Sequence, residues 1–153
     1  NVRGTFACSK ACLPYLLKSD NPHILNLSPP LNLDPVWFKD YLAYTMSKYG
    51  MSMCVLGMAK EFRKQGVAVN ALWPRTVIKT AALKMFGGVV KDENCRNAEI
   101  MADAAHLILC RDSKSTSGNF FFDEDVLRAN GVTEFDHYSI TAGQPLMKDL
   151  FLD

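Results

Sequence analysis

Cysteine pairing motifs, a surplus of either charge and long apolar runs are all missing from this 153-residue sequence. The five cysteines, Cys8, Cys12, Cys54, Cys95 and Cys110, are odd in number and contain no Cys-x-x-Cys. That argues against a disulfide framework and a zinc ribbon and fits a reducing interior compartment. His23, His106 and His137 are scattered, so no metal site is expected. Seventeen Lys and Arg against sixteen Asp and Glu leave a formal net charge of +1 with no long run of either sign. Nothing therefore favours a polyanionic partner, and nucleic acid is not an expected ligand. No apolar run approaches the ~20 residues that a membrane span needs. The sequence opens on Asn1 rather than Met and has no basic and apolar leader, so a piece of a longer chain is expected.

At 48% hydrophobic, the chain can build one core but not two ordinary domains. Phe6, Leu13, Leu16 and Leu17 space a helix over about residues 1–18, where Cys8 and Cys12 share a face as a reduced, partly buried pair. His23 to Ser28 reads as a buried strand halted by Pro29-Pro30. A long helix over about residues 40–65 follows from Tyr44, Met51, Val55, Met58 and Phe62, and Gly66 ends it. Val67 to Trp73 is a second buried strand, stopped by Pro74. Beyond it come a short helix over about 80–86, an amphipathic helix over about 98–110 and a third strand over 119–123. The pattern then weakens into a polar tail. Two apolar strands joined through a helix imply a parallel sheet covered by helices.

Tyr44 and Lys48, in Tyr-Thr-Met-Ser-Lys, stand at i and i+4 and project from one helix face. A neighbouring ammonium favours a phenolate, which suits a tyrosine to acid/base work on an alcohol or carbonyl. Chance alone gives this spacing in roughly a quarter of chains this size, and the alternative is a surface tyrosine beside a solvated lysine. The setting favours catalysis: a strand ending at Ser28, a loop, this helix, then a second buried strand running into Pro74.

With these features the sequence resembles the short-chain dehydrogenase/reductase family, whose central motif is Tyr-x-x-x-Lys. The resemblance implies that Tyr44 is the proton donor or acceptor, while Lys48 holds a nicotinamide ribose and eases loss of the tyrosine proton. Asn1, in Asn-Val-Arg-Gly-Thr-Phe, is the counterpart of an asparagine that holds a water in the proton relay, with a helix-capping or merely exposed asparagine as the other reading. The family's substrate-binding serine position is occupied by Pro29. Ser28 supplies the hydroxyl if the backbone shifts, and a purely local hydrogen bond is the alternative. The loop before Tyr44 is about two residues longer than usual. Pro74 and Thr80 resemble the ends of the family's Pro-Gly nicotinamide segment, with Arg75 in place of glycine. Ile78 is the expected carboxamide contact, and Val77 stays open.

The fold implied is α/β, the C-terminal half of a Rossmann-type doubly wound parallel sheet whose N-terminal half is missing. The dehydrogenase region runs over 1–123, with a C-terminal extension over 124–153. The cofactor implied is NADP(H), with NAD(H) not excluded. The implied substrate is a small lipid-derived carbonyl or alcohol, and the implied partner is a second copy of the chain, docked through the helices carrying Asn1 and Tyr44. Longer strings, Asn-Leu-Ser-Pro-Pro-Leu-Asn-Leu and Ala-Tyr-Thr-Met-Ser-Lys-Tyr-Gly among them, resemble a lipid-linked branch of the family and imply a peroxisomal and also a mitochondrial location. The ending Phe151-Leu152-Asp153 is no peroxisomal Ser-Lys-Leu signal. A dinucleotide pyrophosphate needs a glycine-rich turn, and Gly87-Gly88 lacks the spacing. The chain alone is thus expected to bind nicotinamide cofactor poorly and to be inactive. Two non-enzymatic readings stand beside this one: a truncated subunit that pairs with intact copies, using Met51, Met53 and Met58 with Gly50 and Gly57, and a degenerate lipid-binding scaffold.

Overall fold

The computed structural model describes residues 1–86 and 89–152; Gly87-Gly88 and Asp153 lie outside the described residues. The chain divides into two compact units, residues 1–73 with 109–121, and residues 74–108 with 122–153.

In the first unit, helix α1 (Val2–Leu16) leads to strand β1 (His23–Leu27). Helices α2 (Val36–Lys39) and α3 (Leu42–Glu61) follow, then strand β2 (Ala68–Trp73). Strand β3 (Phe120–Phe122), of which Phe120 and Phe121 belong to this unit, completes a sheet ordered β1-β2-β3. β1 and β2 pair in parallel, from His23 opposite Ala68 to Leu27 opposite Leu72. Every residue of β2 is buried, because it is the central strand. β1 corrects the expectation of a buried strand. It lies at the sheet edge, its first four residues are half-buried, and Leu27 is 51% exposed. Both strands are apolar enough for burial, but among the described residues only β2 has a strand on each side.

Val55, Met58, Ala59 and Phe62 from the end of α3 pack on Val67, Val69 and Ala71, with Leu13, Leu16, Ile24 and Phe120 at the margin. Gly66 closes the α3 segment after a single 3₁₀ turn, at φ 74°, a left-handed conformation that glycine adopts without strain. Gly50 sits where α3 crosses α1, and a Cβ there would collide with the Val2 side chain. The expectation of a partly buried Cys8–Cys12 pair is also corrected, since both are exposed. α1 turns Ser9, Leu13 and Leu16 inward, which leaves the cysteines on the flank shared with the exposed Tyr15.

In the second unit, the short helix expected near 80–86 is a 3₁₀ helix over Ala81–Phe86, and α4 (Glu99–Leu109) buries Ile100, Ala104 and Ile108. The expected polar tail is instead organised. It begins with α5 (Asp123–Ala129), which places Asp123, Glu124 and Asp125 at its electropositive start and Arg128 in its last turn, and buries Val126 and Leu127. A 3₁₀ turn, Asp136–Tyr138, comes later. Backbone bonds then knit distant segments: Asn97 N donates to Tyr138 O at 2.8 Å, Ile140 N to Cys95 O at 3.0 Å and Val77 N to Met147 O at 2.9 Å.

Charged side chains carry much of this unit. Buried Arg96 donates to Glu124 and stacks 5.5 Å from the centre of the Phe135 ring, over which Arg128 also lies at 4.4 Å. Asp123 is fully buried; its Oδ1 accepts from Arg75 N at 2.9 Å and Glu124 N at 2.8 Å. Burial pushes the Asp123 carboxyl up from the usual carboxylate range, against the downward pull of those two amides. The Tyr138 hydroxyl donates to Asp103 Oδ2 at 2.7 Å, and burial, reinforced by that carboxylate, pushes its pKa up to about 12.

Candidate active site

Tyr44 and Lys48 lie one turn apart in α3 and so share a helix face. Tyr44 is 41% exposed, whereas Lys48 is half-buried. The reach of a lysine carries the ammonium from α3 to the C-terminal ends of the two paired strands. Lys48 Nζ donates to Leu27 O, at the end of β1, at 2.9 Å. It also lies 5.2 Å from the centre of the Trp73 ring, at the end of β2. In open α/β sheets, ligands bind beyond the carboxyl ends of the strands, and this is where the ammonium stands.

Asn1 precedes α1, where its carbonyl accepts from Thr5 N at 2.8 Å. Its side-chain amide makes no capping bond and instead donates to Ser47 Oγ, between Tyr44 and Lys48 in α3. The capping alternative therefore gives way to a tie between Asn1 and the helix of the reactive pair. Ser28 is fully buried, and its Oγ has no hydrogen-bond partner among the described residues. The local side-chain bond weighed for it does not form. The loop after it is held by the buried side of α3: Ser52 Oγ donates to Pro29 O at 2.6 Å and the Tyr49 hydroxyl donates to Asn32 O at 2.6 Å. Phe38 packs edge-on against the Tyr49 ring at 5.6 Å. Burial pushes the Tyr49 hydroxyl up from its ordinary value, which keeps it a neutral donor.

The residues compared with the nicotinamide segment belong to the second unit. Pro74 is buried, Ile78 half-buried and Thr80 exposed. Val77 lies between backbone partners: its N–H donates to Met147 O, and its carbonyl accepts from Arg96 N at 3.0 Å. Ile78 bridges to Arg96. Arg75, where the family has glycine, turns its guanidinium onto Asp125, with Nη2 to Oδ2 at 2.6 Å and Nε to Oδ1 at 3.1 Å, and lies over the Phe122 ring. Lys79 and Thr80 border a cavity of about 630 Å³ that Asp92, Asn97 and Ile140 also line.

Sequence reasoning brought Asn1, Tyr44 and Lys48 to the same part of the first unit, but it missed Ser47, Trp73 and the Leu27 carbonyl. Ser47 lies inside the motif, and its neighbourhood to Asn1 depends on how α1 crosses α3. Trp73 could have been noticed as a large aromatic closing a strand of residues that are small or aliphatic apart from Asn70. A backbone carbonyl leaves no mark in a sequence.

A family model described as Enoyl-(Acyl carrier protein) reductase matches residues 1–108. The chain belongs to the short-chain dehydrogenase/reductase family. Over all 153 residues it is 59% identical to hydroxysteroid dehydrogenase-like protein 2 of Danio rerio, of which it covers 36%. It spans about a third of the length of that relative. Among solved structures, a dehydrogenase from Xanthomonas campestris superposes with a TM-score of 0.96 at 50% identity, covering 100% of this chain and 56% of that one. A short chain dehydrogenase from Mycobacterium thermoresistibile gives 0.89 at 46% identity, with coverages of 99% and 54%. These likenesses agree with the α/β fold and with a chain that covers part of the family's Rossmann-type sheet. Among the described residues, no helix is long and apolar enough to cross a membrane.

Proposed function

We propose that this chain carries the proton-transfer half of an alcohol/carbonyl oxidoreductase, with Tyr44 as the acid/base group and Lys48 as its charged partner. The observation that carries the reading is the Lys48 ammonium, held at the ends of β1 and β2 on the helix face it shares with Tyr44. The donor set at this place, one ammonium and one phenol, fits the hydroxyl-rich nicotinamide ribose. A glycine-rich cradle for the pyrophosphate is absent from the 153 residues. The nicotinamide group supplies the hydride chemistry when bound. Tyr44 gives its hydroxyl proton to a carbonyl oxygen, or takes one from an alcohol. Lys48 stabilises the resulting oxyanion through its charge, and Asn1 with Ser47 orders the polar surroundings of that exchange. Ser28 completes the substrate contact only if its Oγ turns out of its buried position.

The finer assignments follow from family resemblance: NADP(H) as the cofactor, contacted by Pro74, Ile78 and Thr80; a lipid-derived substrate; and a peroxisomal or mitochondrial setting. Exposed Leu33, Val36, Tyr41 and Leu42, in the segment leading to Tyr44, support an apolar substrate. The test joins the N-terminal residues of the Danio rerio relative to this chain and follows NADPH oxidation with a panel of fatty-acyl, steroid and small carbonyl compounds. Tyr44→Phe is expected to lower kcat/KM by about 10²–10⁴-fold. Equal rates for both proteins would refute the catalytic assignment. The 153-residue chain alone is expected to bind NADPH weakly, and micromolar affinity in a fluorescence titration would contradict that.

One observation favours a second, non-enzymatic reading. Met46 and Met53 lie two turns apart on α3 and are 62% and 59% exposed, while Phe6 on α1 is 53% exposed. Gly57, on the Met46 side of α3, has open space around it. Such a surface suits docking of a second copy. Dimerisation of a chain that lacks activity in sedimentation and rate measurements would support it.

A further inference from the structure

The strand that ends beneath the reactive lysine closes on an aromatic residue, although nothing in a buried β2 requires one. The β2 side chains before it are Ala68, Val69, Asn70, Ala71 and Leu72, all small or aliphatic apart from the asparagine. Trp73 then presents its ring to Lys48 Nζ at 5.2 Å, inside the ~6 Å at which an aromatic face attracts a cation. The indole is 5% exposed and Lys48 half-buried, so water screens the attraction less than at an open surface. Leu27, paired in register with the Leu72 that precedes Trp73, offers its carbonyl to the same ammonium at 2.9 Å. The cation is therefore gripped from two directions, by a point acceptor at the end of β1 and by a diffuse negative surface at the end of β2.

The geometry points to Trp73 as a positioning residue that fixes the Lys48 ammonium beside Tyr44 through its indole face. This rests on the assignment of Tyr44 and Lys48 above and adds to it a side chain that acts through Lys48. A leucine at 73 would fill much of the volume and bury as well, but its surface carries no negative face for the cation. A phenylalanine keeps a face, weaker than that of indole. Replacement therefore separates packing from electrostatics: the order Trp, Phe, Leu should grade the function, whereas a role in packing alone would leave the two variants alike.

Two measurements test it. In two-dimensional carbon–proton NMR of the ¹³C-lysine-labelled chain, the Lys48 ε-methylene protons, assigned with Lys48→Arg, should lie upfield of those of the lysines that face no ring, a set that leaves out Lys18 over Tyr15. The displacement should be reduced in Trp73→Phe and lost in Trp73→Leu. In the hybrid with the Danio rerio N-terminal residues, Trp73→Leu should lower kcat/KM for carbonyl reduction roughly tenfold and move the alkaline limb of the pH–rate profile upward, because a phenolate without its cation forms less readily, with Trp73→Phe in between. An undisplaced Lys48 signal in the parent chain overturns the proposal, as do pH–rate profiles that coincide for parent, Trp73→Phe and Trp73→Leu while Tyr44→Phe is inactive. Activity that persists in Tyr44→Phe would instead refute the catalytic assignment, and the NMR displacement would still report whether the ring holds the lysine.

Discussion

Each of the two units has its own kind of interior. The first rests on aliphatic packing: β2 is buried along its whole length, α3 lays Val55 and Met58 against it, and buried polar side chains such as Ser52 pin loops. The second buries charge, with Arg96, Glu124 and Asp123 at the start of α5 and the more exposed Arg128 joining Arg96 over Phe135. An apolar core is non-directional and tolerates drift in detail, whereas a buried ion pair is stable only when both partners and their geometry are present.

The largest expected effect comes from removing one side of that pair. Glu124→Ala leaves Arg96 buried without its carboxylate and should lower the unfolding free energy by about 3–5 kcal/mol, read from urea denaturation. The double replacement Arg96→Met with Glu124→Leu should recover most of the loss. A double variant as unstable as Glu124→Ala would show that the charges have a role beyond mutual neutralisation, and the contrast between the units would deepen.

A smaller and pH-dependent effect belongs to Asp123. Its folded pKa is raised, so its favourable contribution is complete below the ordinary carboxylate range and is lost as the pH climbs through the raised value. Urea midpoints of the parent chain should therefore fall between pH 4 and the raised value. Asp123→Asn, which keeps an oxygen for the Arg75 and Glu124 amides, should flatten that slope. Parallel slopes for the two proteins would assign the pH dependence elsewhere. The smallest effect is expected at Arg75 and Asp125, whose side chains are 40% and 53% exposed. Removing that pair should cost less than about 1 kcal/mol, and raised salt should diminish the difference in a thermal melt. A larger cost would mean that Arg75 acts through its stacking on Phe122.

The same division explains what could be read from the sequence. In the first unit, local signals coincide with the final structure: apolar strands stopped by Pro29 and Pro74, a long helix closed by Gly66, and Tyr44 four residues before Lys48. Its misreadings were of degree. The strand at β1 is apolar like β2, but its burial depends on neighbours that no local pattern names. Cys8 and Cys12 share a face as expected, and which face turns inward depends on where α1 lies on α3. Within the candidate site, Asn1, Tyr44 and Lys48 were visible from motif spacing, while Ser47 and Trp73 were not, because their partners come from other elements. In the second unit, α5 was lost from view because its apolar residues are few. Its acidic start is held by Arg75 and Arg96, which are distant in sequence, a pairing that periodicity does not reveal.

The close crossing at Gly50 links two positions that sequence separation would treat as independent. Any side chain at 50 must displace Val2, one residue from the amide that reaches Ser47. Gly50→Ala should thus be harmful alone and milder beside Val2→Ala. Where one position enlarges during descent, the other is expected to shrink, so the two would record a joint history in any lineage that keeps Asn1 in place.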